Sequence, residues 1–390
     1  VKILQVFDFF SLPHGGGTVD VISKLSKALV ERGHEVTICT GDYELDGKYI
    51  HIGSAENHFD LADPSGKISI ELFHSYFNRF GMYIVPSLRK FDIEKYDVVH
   101  FHCCRSFQNI VLGIKAIAYE IPYVVDAHGS AVDRGAKNII RHWYDFVWGD
   151  KFFANASRLI AETEVGVAEW RKLGADLAKI TLLHPFIDIK EFEGLPERGT
   201  FARDYNIKEH IILFLGRINK EKGLEFLVKS FAQLLKTRQD VFLVLAGQDD
   251  GYLDELGRIA TSERVNGKVF AAGFLTGKEK LSALVDASML IQPSKNEAGA
   301  RPSLEALMCN TSVIVTRYTG AGLEIKKMDA GYLTTYGDVR ELAETMNALL
   351  GSDPILVKEK VENGKRYIRE NLSLESQIPK YENLYREVIG

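Results

Sequence analysis

The sequence is poor in the features that mark small or specialised chains. Its four cysteines, Cys39, Cys103, Cys104 and Cys309, form no C-x-x-C pair, which argues against a zinc site or a disulfide framework and makes a reducing cytoplasm the expected setting. Lys and Arg total 48 against 53 Asp and Glu, a formal net charge of −5, so no polybasic signature points to nucleic acid. No apolar run approaches the ~20 residues of a membrane-spanning helix. The opening VKILQVF reads as a strand and not as a secretory leader. Low-complexity tracts and repeats of about 20 to 50 residues are missing, as are G-x-S-x-G, H-E-x-x-H and G-x-x-x-x-G-K-[ST]. No apolar strand ends in an Asp-x-Asp pair of the kind that holds a divalent ion on a diphosphate. Asp249 and Asp250 are adjacent and read as a polar turn.

What is present is an ordinary globular composition. The chain has 390 residues, 46% apolar and 26% charged, which predicts two to three domains, each large enough to bury a core without covalent staples. VKILQVF, a PHGGG breaker, a helical pattern through Val21, Ile22, Leu25, Ala28 and Leu29, Gly33 and then EVTICT spell strand, loop, helix, strand. Further strands are predicted at 98–103, 123–128 and 158–163, with a helix over 107–120. The segment 184–203, with two prolines, two glycines and mixed charge, is the candidate linker. The pattern then restarts with strands at 210–216, 241–247, 268–273, 287–293 and 312–316. Strands alternating with helices argue for parallel sheets covered on both faces. The expected fold is therefore α/β, with two Rossmann-like doubly wound domains facing across a cleft and ligands at the carboxyl ends of the strands. Domain boundaries are expected at 1–190 and 191–372, with a terminal helix over 373–390.

Four motifs sit at predicted strand ends. In PSKNEAGARPSLEAL, Pro302 suits the first turn of a helix, placing Glu305 near the helix start and Glu297 in the loop before it. The N–H groups of Ser303 and Leu304 could bind a phosphate oxygen, and the carboxylates could grip sugar hydroxyls. By itself the pair also reads as acidic residues complementing a helix dipole. In FLGRINKEKG, Arg217 and Lys222 follow a strand and could neutralise a diphosphate, although a solvated charge run explains them equally. Gly15, Gly16 and Gly17 allow close approach of backbone to a ligand, or serve only as a turn. His128, in DAHGS, faces the cleft from a strand end or is a hydrogen-bonded structural histidine.

Taken together, GGGTVDVISKLSKALVERGHEVTICT, the His128-Gly129 pair, LGRINKEKGLEFLVKSF, Glu297 and Glu305 with seven residues between them, and YTGAGLEI followed by DAGYL resemble the family-4 retaining glycosyltransferases of the GT-B fold over nearly the whole chain. The resemblance implies transfer of a sugar from a nucleotide diphosphate, such as a UDP- or GDP-sugar, to an acceptor hydroxyl, with no metal and no other cofactor. It implies that Arg217 and Lys222 bind the diphosphate, that Glu305 binds the ribose, and that Glu297 contacts the sugar with the amides around Ala298 and Gly299. Gly16 and Gly17 would close over the phosphates, His128 would lie beside the sugar, and Gly247, Phe274 and Leu275 would border the base. The terminal helix would cross back to the first domain. The chain departs from the family pattern at His184-Pro185-Phe186-Ile187-Asp188, where Asn and Gly usually precede the Asp, at Ala298-Gly299-Ala300, and at Asn310, where Gly is usual.

Two alternatives stand beside the transferase reading: a nucleotide-sugar 2-epimerase, which also uses two facing α/β domains but which the combination of Arg217 with Lys222 and of Glu297 with Glu305 argues against, and a nucleotide-sugar-binding protein without transferase activity, motivated by the altered loop at Ala298-Gly299-Ala300. The acceptor is open between a sugar, a glycolipid and a polyprenyl-linked glycan. The stretches 73–91 and 141–153 mix aromatics with Arg and Lys, as a peripheral contact with a membrane would require. The simpler expectation for both is amphipathic helices packed on the sheet.

Overall fold

The computed structural model describes residues 1–10, 16–42, 66–79, 82–131 and 143–390. Gly15 of the glycine run and residues 80, 81, 141 and 142 of the two aromatic stretches lie outside them. The chain divides into two compact units, Val1–Phe186 with Leu374–Gly390, and Ile187–Ser373.

The first unit is built on β1 (Lys2–Phe9), β2 (Glu35–Gly41), β3 (Ile68–Phe73), a small antiparallel pair β4 (Phe77–Arg79) and β5 (Met82–Ile84), then β6 (Val98–His102), β7 (Tyr123–Asp126), β8 (Arg158–Ala161) and β9 (Ile180–Leu182). Seven of these form one sheet in the order β3-β2-β1-β6-β7-β8-β9, every pair parallel. The central strands are mostly apolar because helices cover both faces, with Gln5, His100, His102 and Asp126 as buried polar exceptions. On one face Leu4, Val99, Phe101, Val125 and Leu159 pack with Leu112 and Trp170; on the other Ile3, Val36, Val98, Val124 and Ile160 pack with Leu25, Leu29, Ile378 and Tyr385.

The second unit carries β10 (His210–Leu215), β11 (Val241–Ala246), β12 (Val269–Gly273), β13 (Ala287–Gln292), β14 (Ser312–Thr316) and β15 (Tyr332–Thr334), all parallel in the order β12-β11-β10-β13-β14-β15. Strand order reverses between β1 and β6 in the first sheet and between β10 and β13 in the second. At such a switch point the following loops diverge and leave a crevice at the carboxyl ends.

Two expectations are corrected, and the helix expected over 141–153 is found in its described part. The segment 73–91 is not a helix: it runs from the end of β3 through the β4–β5 hairpin into a short 3₁₀ turn, Pro86–Lys90. The segment 184–203 is not a bare linker, since Phe186, Ile187, Phe192 and Phe201 are buried in the two units' cores. Burial of four large apolar side chains outweighs the breaker residues between them. In 143–155 the chain is helical, with a widened turn at Asp145–Gly149. It buries Tyr144, Phe152 and Phe153 but exposes Trp143 and Phe146.

The terminal helix Leu374–Ile389 packs on the helix Gly16–Glu31 and fixes itself there by charge. Glu382 accepts from Arg32 at 2.7 Å and pairs with the His34 ring at 2.8 Å. The hydrogen bond from Arg32, seconded by His34, lowers the Glu382 carboxyl to about 2. Because the folded value lies below that of the unfolded chain, the stabilisation is complete above the ordinary 4.5 and is lost as pH falls towards 2. Glu382→Gln is expected to lower the melting temperature at pH 7 by roughly 4–8 °C, or about 2 kcal/mol after discounting for the half-exposed Arg32. The difference from the parent should shrink between pH 4.5 and 2, as melts followed by circular dichroism would show.

Candidate functional site

At the β10/β13 switch point the loops are locked together by backbone contacts that only glycine allows. Gly247, with φ +149°, lies so close that a Cβ there would fall 1.8 Å from the Gly216 carbonyl oxygen. At Gly223, φ +71°, a Cβ would fall 2.1 Å from the Pro293 oxygen. The loop after β10 is thus pressed onto the end of β13. Within that loop the Asn219 side chain accepts from the amides of Glu221 and Lys222 at 3.1 and 3.2 Å, turning Lys222 inward. Its Nζ donates to Glu297 Oε2 at 2.7 Å, and Ser294 Oγ donates to the same oxygen at 2.9 Å. The Glu297 carbonyl in turn accepts from the Gly320 amide at 2.7 Å. Two residues 75 positions apart thereby meet at the switch point.

Arg217 is 60% exposed and reaches Asp250 Oδ2 at 3.1 Å. Asp250 is therefore the counter-ion of Arg217, while Asp249 accepts from the amides of Gly251, Tyr252 and Leu253 as the expected turn. The helix Arg301–Met308 starts at Ala300 without a side-chain cap and with Pro302 in its first turn. The Leu304 amide is not open to a ligand, because it donates to Ala300 O at 2.9 Å as the helix's own first bond. Ser303 lies one residue too early in the helix for such a bond, but its hydroxyl is buried and donates to Gln292 Oε1 at 2.6 Å. Gln292 donates onward to Gly299 O at 3.3 Å. Glu305 is buried against Lys280, whose Nζ donates to it at 3.2 Å. Beyond β12, Phe274 exposes its ring, whereas Leu275 is buried in the core. Gly273 accepts from the Gly247 amide at 2.7 Å. Asn310 has φ +64°, a left-handed conformation that Gly adopts freely and Asn tolerates best after it.

In the first unit the helix Gly16–Glu31 opens with Gly16 at φ +61°, and Gly16 and Gly17 are exposed. His128 follows β7 with φ +44°, unusual for a side chain with a Cβ. Its ring is buried, with Nδ1 2.9 Å from Glu162 Oε1 and Nε2 2.8 Å from His102 Nδ1, and His102 Nε2 lies 2.5 Å from Gln5 Oε1. The two imidazoles stack with centroids 5.1 Å apart. Burial holds His100 and His102 well below the usual histidine range and raises the Asp126 carboxyl to about 6. Asp126, His128 and Glu162 each offer one ligand atom within 4.8 Å of the others, close enough to surround a metal ion.

Sequence reasoning missed Asn219, Ser294, Asp250, Lys280 and Glu162. Asn219 had a signal, being an Asx cap before a short helical turn; the others depend on neighbours distant in sequence.

Residues 15–191 match the family described as Glycosyltransferase Family 4, and residues 198–369 match that described as Glycosyl transferases group 1. The chain belongs to these glycosyltransferases. Relatives include the N-acetyl-alpha-D-glucosaminyl L-malate synthase of Bacillus anthracis, 25% identical over 97% of this chain and 95% of its own. The D-inositol 3-phosphate glycosyltransferase of Pseudarthrobacter chlorophenolicus is 27% identical over 86% and 82%. Among solved structures, HepE of Anabaena in complex with UDP and glucose superposes with a TM-score of 0.79 at 16% identity, covering 99% of both chains. The fold of this glycosyltransferase is thus GT-B, and the crevice at β10/β13 offers it an arginine, a lysine, a fixed carboxylate and an uncapped helix start.

Proposed function

We propose that the protein moves a sugar from a nucleotide diphosphate, UDP- or GDP-linked, to an acceptor hydroxyl with retention of anomeric configuration and without a metal. The observation that carries this reading is the Lys222–Glu297 pair at the switch point. A half-buried cation beside a carboxylate suits a ligand that brings phosphate to the one and sugar hydroxyls to the other. Arg217, exposed and only loosely held by Asp250, is the second phosphate partner. Glu305 binds the ribose, and the Ser303 amide and the backbone of Ala298, Gly299, Gly247 and Phe274 line the donor; on the first unit Gly16, Gly17 and His128 are the substrate contacts. Leu275 contributes by backbone only, as its side chain belongs to the core.

The bond from the anomeric carbon to the phosphate oxygen breaks while the acceptor oxygen bonds to the same face. The acceptor's proton passes to the departing phosphate oxygen. Negative charge grows on the diphosphate as this happens, so fixed cations and a helix start stabilise the transition state more than the ground state. HepE, a structural neighbour, has been captured with UDP-glucose, which supports a uridine donor. The exposed rings of Trp143 and Phe146 favour an acceptor with an apolar portion. No helix among the described residues is long and apolar enough to cross a membrane.

The test is incubation with a panel of UDP- and GDP-sugars, with and without sugar and lipid-linked acceptors. One nucleotide sugar should be consumed only when acceptor is present. Proton NMR of the product should show the donor's anomeric configuration, and EDTA should leave the rate unchanged. Consumption without acceptor would assign an epimerase instead, and tight binding without turnover a binding protein.

A further inference from the structure

Strands β7 and β8 pair in parallel with Asp126 opposite Ile160. Two residues beyond that pair on each strand stand His128 and Glu162, so the register itself brings them side by side. His102 is opposite Asp126 on β6, and Gln5 of β1 is opposite His100. Four adjacent strands therefore deliver one row of side chains, Gln5 from within β1 and His102, His128 and Glu162 from the ends of β6, β7 and β8, joined at 2.5, 2.8 and 2.9 Å. The row is sheltered: Gln5 and His102 are fully buried, and Asp126, His100 and Tyr381 enclose it.

Proton accounting restricts what this row can be. An ionised carboxylate only accepts hydrogen bonds. Facing Glu162, the His128 Nδ1 carries the proton of that contact. His102, kept neutral by burial, donates from Nε2 to Gln5 Oε1, so its bare Nδ1 accepts from His128 Nε2, which also lies 3.7 Å from Asp126 Oδ2, and the His128 ring carries a proton on both nitrogens. A backbone at φ +44° needs its surroundings to hold it, and the Glu162 contact is part of that hold.

We propose that Glu162 is a positioning residue that holds the Nδ1 proton and the ring plane of His128, so that the Nε2–H exchanges His102 for a hydroxyl of the substrate. The inference rests on the transferase reading for its substrate, though not for the Nδ1 proton. Glu162 touches no reacting atom; it acts through the imidazole, as second-layer carboxylates do in other histidine sites.

Glu162→Ala should lower kcat by about ten- to a hundred-fold while KM for the nucleotide sugar stays within about threefold. Glu162→Gln, whose amide oxygen can accept the same N–H, should restore kcat to within about threefold of the parent. Long-range nitrogen–proton NMR of imidazole-labelled protein, with the His128 signals assigned by their loss in H128A, should find the proton on Nδ1 in the parent and in E162Q. In E162A the Nδ1 proton should be lost, leaving the ring protonated on Nε2 alone. If E162A fails to fold by circular dichroism, Glu162→Met, which fills the volume without accepting, takes its place. An unchanged Nδ1 proton and unchanged kcat in E162A would overturn the proposal. So would E162Q falling as far as E162A, or an Nδ1 that gains its proton only after EDTA, which would assign a metal ion to Asp126, His128 and Glu162. A parent that turns over no nucleotide sugar while the Nδ1 proton is lost as described would fail the transferase reading and leave the positioning role standing.

Discussion

Lys222→Ala is expected to lower kcat/KM for the nucleotide sugar by about 10²- to 10³-fold, roughly 2.7–4 kcal/mol of transition-state stabilisation. The charge that grows on a departing diphosphate must be met by groups already in place. Lys222 is in place because Asn219 turns it inward and Glu297 holds it at 2.7 Å. Its loss leaves the Glu297 carboxylate with the Ser294 hydroxyl, so folding stability should change by only about 1 kcal/mol. Activity and stability thus separate: nucleotide release should collapse while the melting curve scarcely moves. Arg217→Ala should behave alike with an even smaller stability change, since that side chain is mostly exposed. Near-parent turnover in Arg217→Ala would sink the assignment of a diphosphate site here.

Gly320→Ala should be strongly damaging although it adds a single methyl group. In an ordinary helix Ala stabilises relative to Gly by up to about 1 kcal/mol. Here the added Cβ would fall 2.0 Å from Ala298 O and 2.9 Å from Glu297 O, both backbone atoms. The loop carrying Glu297 must shift, and a displacement of about 1 Å can cost on the order of 10²-fold in rate. A loss of about 2–3 kcal/mol in stability is expected alongside, from overpacking. Gly257→Ala is the control. It lies in the helix Leu253–Ser262 with nothing within 4 Å of the added methyl, and should raise stability by about 0.5–1 kcal/mol without touching the rate. Equal behaviour of the two variants in melting and turnover would show that the tight Gly320 contact has no bearing on the donor loop.

The amino-acid order was informative where local chemistry dominates. β10, β11, β13 and β14 are continuous apolar runs because both faces of their sheet are covered. Pro302 marked the helix start, and the motifs carrying Arg217, Lys222 and Glu297 lay after strands, where the switch point needs them. The misreadings have physical causes of the same kind. β3, β9 and β15 are short or half-buried edge strands, so their alternation is weak. The aromatics of 73–91 suit a hairpin as well as a helix, and 184–203 has the composition of a linker while its phenylalanines pack into cores.

By itself, then, the sequence determined the alternation of strand and helix, the parallel sheets that follow from it, and which residue types wait at the strand ends. These are properties of a few neighbouring residues, set by backbone sterics and apolar periodicity. Only the tertiary structure decided that Lys222 meets Glu297, that Arg217 is held by Asp250, that the Leu304 amide is already spent, and that His128 is gripped between His102 and Glu162. Those contacts depend on strand order and register across many residues of chain, and a hydrogen bond over less than 3 Å has no signature until the backbone has closed around it.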